Sequence, residues 1–192
     1  MSDTTPRNLS SELAREAFKC AKRAQFEEKY PQYVKKMPAM IRNSGFVKAF
    51  AFGYSKDEKL YEWIYSDIRG WLAEQNLLDK KEEDSEKIEK YKNLKQLEAK
   101  EKKLKRQKLE LEKEDKEKLE SLKKDECLKK AEELQHRMIE DMLKKFIDMD
   151  YSKYRRCENE TMAFLDWLRR FAEGMSEDDD APEEKGGQEA GQ

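Results

Sequence analysis

No glycine lies between Gly70 and Gly174, and no proline lies between Pro38 and Pro182. Roughly a hundred consecutive residues thus lack both residue types that most strongly interrupt helices, and Glu, Lys and Leu dominate the stretch. The sequence predicts an all-α fold. Of 192 residues, 44% are charged and 36% hydrophobic, so the apolar side chains suffice for one modest core and much of the charge must sit outside it. The expectation is a compact bundle of about five to six helices, carrying a long charged helical insertion and a disordered acidic tail.

Ser10 and Ser11 precede an apolar stripe at Leu13, Ala17, Cys20, Ala21 and Ala24, whose spacing places a first helix over 10–28. The chain is expected to restart at Pro31 and again at Pro38. This gives a segment with Val34, Met37, Met40 and Ile41 that stops near Gly45, then a short apolar one over 46–52. Ser55 and Glu58 read as a capping box opening a helix that buries Leu60, Trp63, Ile64, Ile68, Trp71 and Leu72. Beyond the insertion, Leu134, Met138, Ile139, Met142, Leu143, Phe146 and Ile147 form another core stripe. A last helix, starting near 150–152, buries Tyr154, Cys157, Thr161, Phe164, Leu165, Leu168, Phe171 and Ala172 and stops at Gly174.

Charge divides the chain into 1–79 and 128–174, which build the bundle, the insertion 80–127, and a tail 175–192. Their net charges are +2, 0, +2 and −6 respectively, so the acidity of the chain belongs to the tail and the body is mildly basic. From Ser176 onward no large apolar side chain is available to offset ordering entropy, which predicts disorder over 176–192. In 80–126, 32 of 47 residues are charged. Leu97, Leu104 and Leu111 recur every seven residues, but Glu101, Lys108 and Asp115 hold the complementary heptad positions. Acid-before-base pairs such as Glu98 with Lys102 and Glu101 with Lys105 each favour helix by about 0.2 to 0.5 kcal/mol. Two readings stand: a partner-binding coiled coil, or a solvated and dispensable insertion. If its flanking helices are bundle neighbours, it returns as an antiparallel hairpin turning near 112–117, with arms of roughly 30 Å; a partly disordered loop is the alternative.

His136 is the only histidine, which excludes triad hydrolases of the usual sort and most His-based zinc sites, and it reads as a surface residue. No phosphate-cradling glycine motif occurs. Cys20, Cys127 and Cys157 form no CxxC pair, which suits a reducing cytoplasm, and Cys157 falls on a buried stripe. There is no apolar run of membrane-spanning length and no signal-peptide pattern. The abundant carboxylates present no pair on an apolar face. The expectations are no enzyme activity, no metal, no cofactor, no small-molecule substrate and no membrane.

The basic residues are more telling. Arg169 lies fourteen residues after Arg155, and Arg170 fourteen after Arg156, so on a helix each pair falls within about 40° around the axis and about 21 Å along it. Such a ridge matches a nucleic-acid backbone, where guanidinium forks meet phosphate oxygens without reading sequence. Local pairing with Glu158, Asp166 and Glu173, or contact with an acidic protein, would use the same residues. Lys35, Lys36, Arg42 and Lys48 make a second basic group, and Asn43, Ser44 and Gly45 read either as a plain turn or as a close approach to a partner backbone.

The block from Tyr33 to Lys56, YVKKMPAMIRNSGFVKAFAFGYSK, and that from Tyr154 to Gly174, YRRCENETMAFLDWLRRFAEG, resemble the small helical subunit of the type III-B CRISPR effector complex, the Cmr complex. A matching helix from Tyr61 to Leu72 joins them, and the resemblance covers about 10–78 and 128–174. Glu158 stands where that family usually has Thr, and Phe46 and Phe50 replace common leucines. The resemblance implies a helical bundle without catalytic activity. It would stack in several copies beside the backbone subunits along guide RNA and target RNA, with target cleavage left to another subunit. By transfer it implies that Lys35, Lys36, Arg42, Lys48, Arg155, Arg156, Arg169 and Arg170 form the surface meeting RNA or neighbouring subunits. The competing expectation is a coiled-coil scaffold with no nucleic-acid role.

Overall fold

The computed structural model describes residues 9–56, 59–79, 82–125 and 131–177. It is all-α, with helices α1 (Leu9–Ala24), α2 (Tyr30–Ser44), α3 (Phe46–Ser55), α4 (Lys59–Glu74), α5 (Glu82–Arg106), α6 (Lys113–Lys124), α7 (Ala131–Asp148) and α8 (Tyr151–Glu177). No strand occurs among the described residues. Of the tail expected to be disordered over 176–192, Ser176 and Glu177 instead continue the last helix, and the remainder lies outside the described residues, as do Glu58 and Cys127.

α8 is the element around which the others assemble: α1, α2 and α4 all pack on it, while α7 packs on α3, α4 and α5. The core is aromatic. Phe46, Phe50, Tyr65, Phe146 and Phe164 are fully buried, with Phe50 stacked on Tyr65 at 4.5 Å between centroids and Phe46 meeting Phe146 at 4.7 Å. α5 and α6 share a smaller cluster of Tyr91, Leu94, Leu97, Leu111 and Leu119, backed by Leu104 and Leu122.

Several local signals resolve differently from expectation. Pro38 does not restart the chain. It sits inside α2, between the buried side chains of Val34, Met37 and Ile41, so packing outweighs the hydrogen bond that its missing N–H forfeits. Pro31, at the first turn of that helix, fits its expected place. Ser55 ends α3, where its hydroxyl donates to the Phe52 carbonyl at 2.8 Å, and the Glu58 half of the expected capping box lies outside the described residues. Gly174 does not stop α8, which continues to Glu177, because Gly174 keeps a helical backbone rather than the left-handed one a terminal cap needs. Ile147 faces solvent at 67% exposure, and Leu109 is likewise exposed. The connection between α5 and α6 falls at 107–112, ahead of the expected 112–117. Leu111 therefore lies beyond α5 and cannot continue a heptad with Leu97 and Leu104.

Both abrupt helix ends near these segments use the same device. Asn76 (φ 56°) and Lys108 (φ 58°) adopt left-handed backbone. Leu77 N–H donates to Leu72 O at 2.9 Å and Asn76 N–H to Ala73 O at 3.1 Å; Leu109 and Lys108 repeat the pattern onto Leu104 and Lys105. These are paired Schellman bonds that satisfy the last carbonyls without glycine.

α5 is held to the bundle by a buried charge cluster. Asp67 of α4 is 6% exposed and receives Lys92 of α5 at 2.6 Å and Arg23 of α1 at 3.0 Å, both on Oδ1, and the Tyr30 hydroxyl of α2 at 3.3 Å on Oδ2. Arg23 also reaches Glu89 of α5 at 2.5 Å. Burial opposes ionisation of Asp67, but Lys92 and Arg23 outweigh it and hold the carboxyl below its ordinary range.

A depressed folded-state value means that the stability Asp67 contributes is present above the unfolded carboxylate pKa of about 3.9 and disappears as pH falls through the folded value. The stability gap between the parent and Asp67→Asn is expected to narrow on acidification below about pH 4; a gap constant with pH would contradict the assignment. Lys92→Met leaves Asp67 with Arg23 and Tyr30, and should cost about 2 to 3 kcal/mol in denaturant unfolding. Gly53→Ala should also destabilise. Its Cβ would meet the Tyr65 hydroxyl and the Tyr61 ring, and Tyr65 is locked under Phe50 with its hydroxyl on Ala49 O. The overpacking cost of about 1 to 3 kcal/mol exceeds the roughly 1 kcal/mol gained in helix propensity, an outcome thermal melting can check.

Candidate nucleic-acid interface

α8 buries Cys157, Thr161, Phe164, Leu165, Leu168 and Ala172 on one side, which turns Arg155, Arg156 and Arg170 to solvent and leaves Arg169 half-buried. Arg155 donates to Glu158 at 2.6 Å. Arg169 and Arg170 share Asp166, at 3.1 Å and 3.2 Å on its two oxygens, and the Arg170 guanidinium also lies over the Trp167 ring at 5.8 Å. Arg156 forms no ion pair among the described residues.

α2 supplies the second group. Lys35 pairs with Glu173 at 3.3 Å, while Phe46, just past the end of α2, meets the Tyr154 ring at 5.7 Å. These two contacts fix α2 antiparallel to α8. Lys35 is thereby brought to the end of α8 that carries Arg169 and Arg170, and Arg42 and Lys48 to the end that carries Arg155 and Arg156. Lys35 and Arg42, seven residues apart, fall within about 20° of each other around α2. Lys36 is turned differently, over the Tyr33 ring at 5.4 Å. Gly45 takes φ 86° between α2 and α3, and its N–H donates to Ile41 O, so Gly45 alone turns the chain between those helices while Asn43 and Ser44 end α2.

Two cations on α1, Arg15 and Lys22, are exposed and unpaired among the described residues, and sequence reasoning passed over them. The signal was present in Phe18, an aromatic residue off the buried stripe of α1 and flanked by both cations at helical spacing.

His136, Cys157 and Glu27 sit in packed surroundings. His136 stacks on Tyr54 at 4.6 Å, with Nδ1 3.2 Å from Glu62 Oε1. Cys157 is buried beside the Met149 sulfur, and burial pushes its thiol pKa up, away from thiolate chemistry. The Glu27 carboxyl is raised by burial against the pull of Lys102, in a cleft of about 250 Å³ between the α1–α2 connection and α5. No cluster of three or more His, Cys, Asp or Glu with metal-binding placement occurs among the described residues, and none of the described helices is long and apolar enough to cross a membrane.

A family model described as CRISPR-associated protein (Cas_Cmr5) matches residues 9–107 and 97–175. The two matches enter the α5–α6 region from both sides and overlap at 97–107, so the likeness extends beyond 10–78 and 128–174 into the charged segment. No curated protein and no solved structure matches the chain. With the two matches together running from the first described residue to within α8, over an all-helical fold whose longest helix closes the family's C-terminal block, the chain belongs to the Cmr5 family, the small-subunit family of the type III-B Cmr CRISPR complex.

Proposed function

We propose that this chain is a non-catalytic structural subunit of a cytoplasmic type III-B ribonucleoprotein, stacking in several copies along guide and target RNA and meeting the RNA backbone with α2 and α8. The observation that carries this reading is the antiparallel packing of those helices, which places cations at both ends of a 27-residue helix. Their present partners suit exchange. Lys35, Arg155 and Arg170 are 67%, 52% and 63% exposed, and exposed ion pairs are worth at most about 1 kcal/mol, so phosphate oxygens can replace Glu173, Glu158 and Asp166 at little cost. Contacts of this kind hold RNA of any sequence, which is what a repeating subunit requires.

Tagged protein recovered from its host at moderate salt should bring down short guide RNAs with other Cmr subunits. Recovery of unrelated proteins without guide RNA would overturn the reading in favour of a protein scaffold acting through α5 and α6. In vitro, replacing Arg155, Arg156, Arg169 and Arg170 with Ala should weaken RNA binding and flatten its log–log salt dependence by about 0.7 for each phosphate no longer neutralised. Asp166→Asn should strengthen binding, because it releases two guanidiniums at once.

A further inference from the structure

Beside the basic ridge, and sharing Arg170 with it, lies a patch whose rings the backbone contacts above do not use. Phe18 of α1 is 44% exposed and meets Phe171 of α8 edge-on, with centroids 5.4 Å apart and planes at 89°. Phe171 in turn stacks on Trp167 at 5.7 Å and 22°. Trp167 and Phe171 are each half-buried, so three rings form a continuous partly exposed surface across the α1–α8 seam. Charge surrounds it. Arg15 and Lys22, three residues before and four after Phe18, lie on the same stripe of α1 and are unpaired among the described residues, while Arg170 covers part of Trp167.

We infer that Phe18, Trp167 and Phe171 form a stacking platform for the bases of single-stranded RNA, with Arg15, Lys22 and Arg170 holding its backbone. The inference rests on the RNA-binding role proposed above and specifies the form of RNA that this face accepts. A specific protein–protein interface draws on about 20 to 30 residues a side around an apolar centre, whereas here Arg15 and Lys22 stand directly beside the rings with no acidic partner among the described residues, which suits an anionic, ring-bearing ligand. Exposed rings flanked by unpaired cations are instead the combination that binds single strands: every base has a π-face, and each phosphate needs a positive partner. Duplexed bases are already stacked on each other and cannot reach the rings.

Fluorescence anisotropy with a labelled single-stranded oligouridylate, and with the same strand annealed to its complement, decides the matter for the full chain. Phe18→Leu keeps the apolar contact with Phe171 but removes the ring, and should weaken single-strand binding about five- to a hundredfold while leaving the duplex unaffected. Phe18→Tyr should restore binding. Arg15→Ala should instead reduce the salt slope by about 0.7, which Phe18→Leu should not do. Circular dichroism melts of each variant separate loss of the ring from loss of the fold. If the parent binds RNA and Phe18→Leu binds single strands equally well, the platform is wrong and the backbone reading stands. If the parent binds neither form, both fall. If Phe18→Leu retains RNA binding but no longer recovers other Cmr subunits, the patch is a protein-docking surface and the inference is overturned.

Discussion

A single buried carboxylate, Asp67, ties together four helices that come from distant parts of the chain: α1 through Arg23, α2 through Tyr30, α4 through its own backbone, and α5 through Lys92. Burying three ionised groups is costly, and hydrophobic residues of similar volume would often give as much stability. What the cluster adds is position. Each partner satisfies the others, so displacing α5 would take from a buried carboxylate its nearest cation, and this helps to hold the highly charged α5–α6 pair against the bundle.

Arg and Lys pair with Asp and Glu throughout this molecule, yet with opposite consequences in two places. At Asp67 the carboxylate and Lys92 are buried and Arg23 is mostly so, and their attraction is weakly screened. Along α8 the Arg155–Glu158 and Arg170–Asp166 pairs are half-exposed and screened, so they keep the surface soluble without committing it. Burial, rather than residue type, separates a structural charge from one that can be offered to a partner.

The aromatic core sets the spacing of α3 and α4. Phe50 stacked on Tyr65 leaves room between these helices for a backbone without a side chain, and Gly53 occupies that gap. The Tyr65 hydroxyl then bonds Ala49 O in the preceding turn. Glycine is needed here for close approach, whereas Gly45 is needed for its positive φ and Gly174 for neither.

The lack of glycine and proline across 71–173 made the helical class legible, because helix formation there follows from short-range propensity and periodicity alone. Most of the buried stripes of α4 and α8 could be read for the same reason, although Leu60, Tyr154 and Phe171 are only partly buried. Signals that depend on what packs nearby could not be read. Pro38 is tolerated because of its buried neighbours, Ser55 bonds back to the Phe52 carbonyl, Leu111 leaves its heptad at the left-handed Lys108, and Ile147 falls on the open side of α7. Asp67 looked like any surface acid, and Phe18, Trp167 and Phe171 belong to segments about 150 residues apart. Sequence by itself determined which segments are helical and which stripes are apolar, since both depend on neighbours within a few turns. Only the tertiary structure decided which charges are buried, which rings meet, and that α2 runs antiparallel to α8, because each of these depends on residues that folding alone brings into contact.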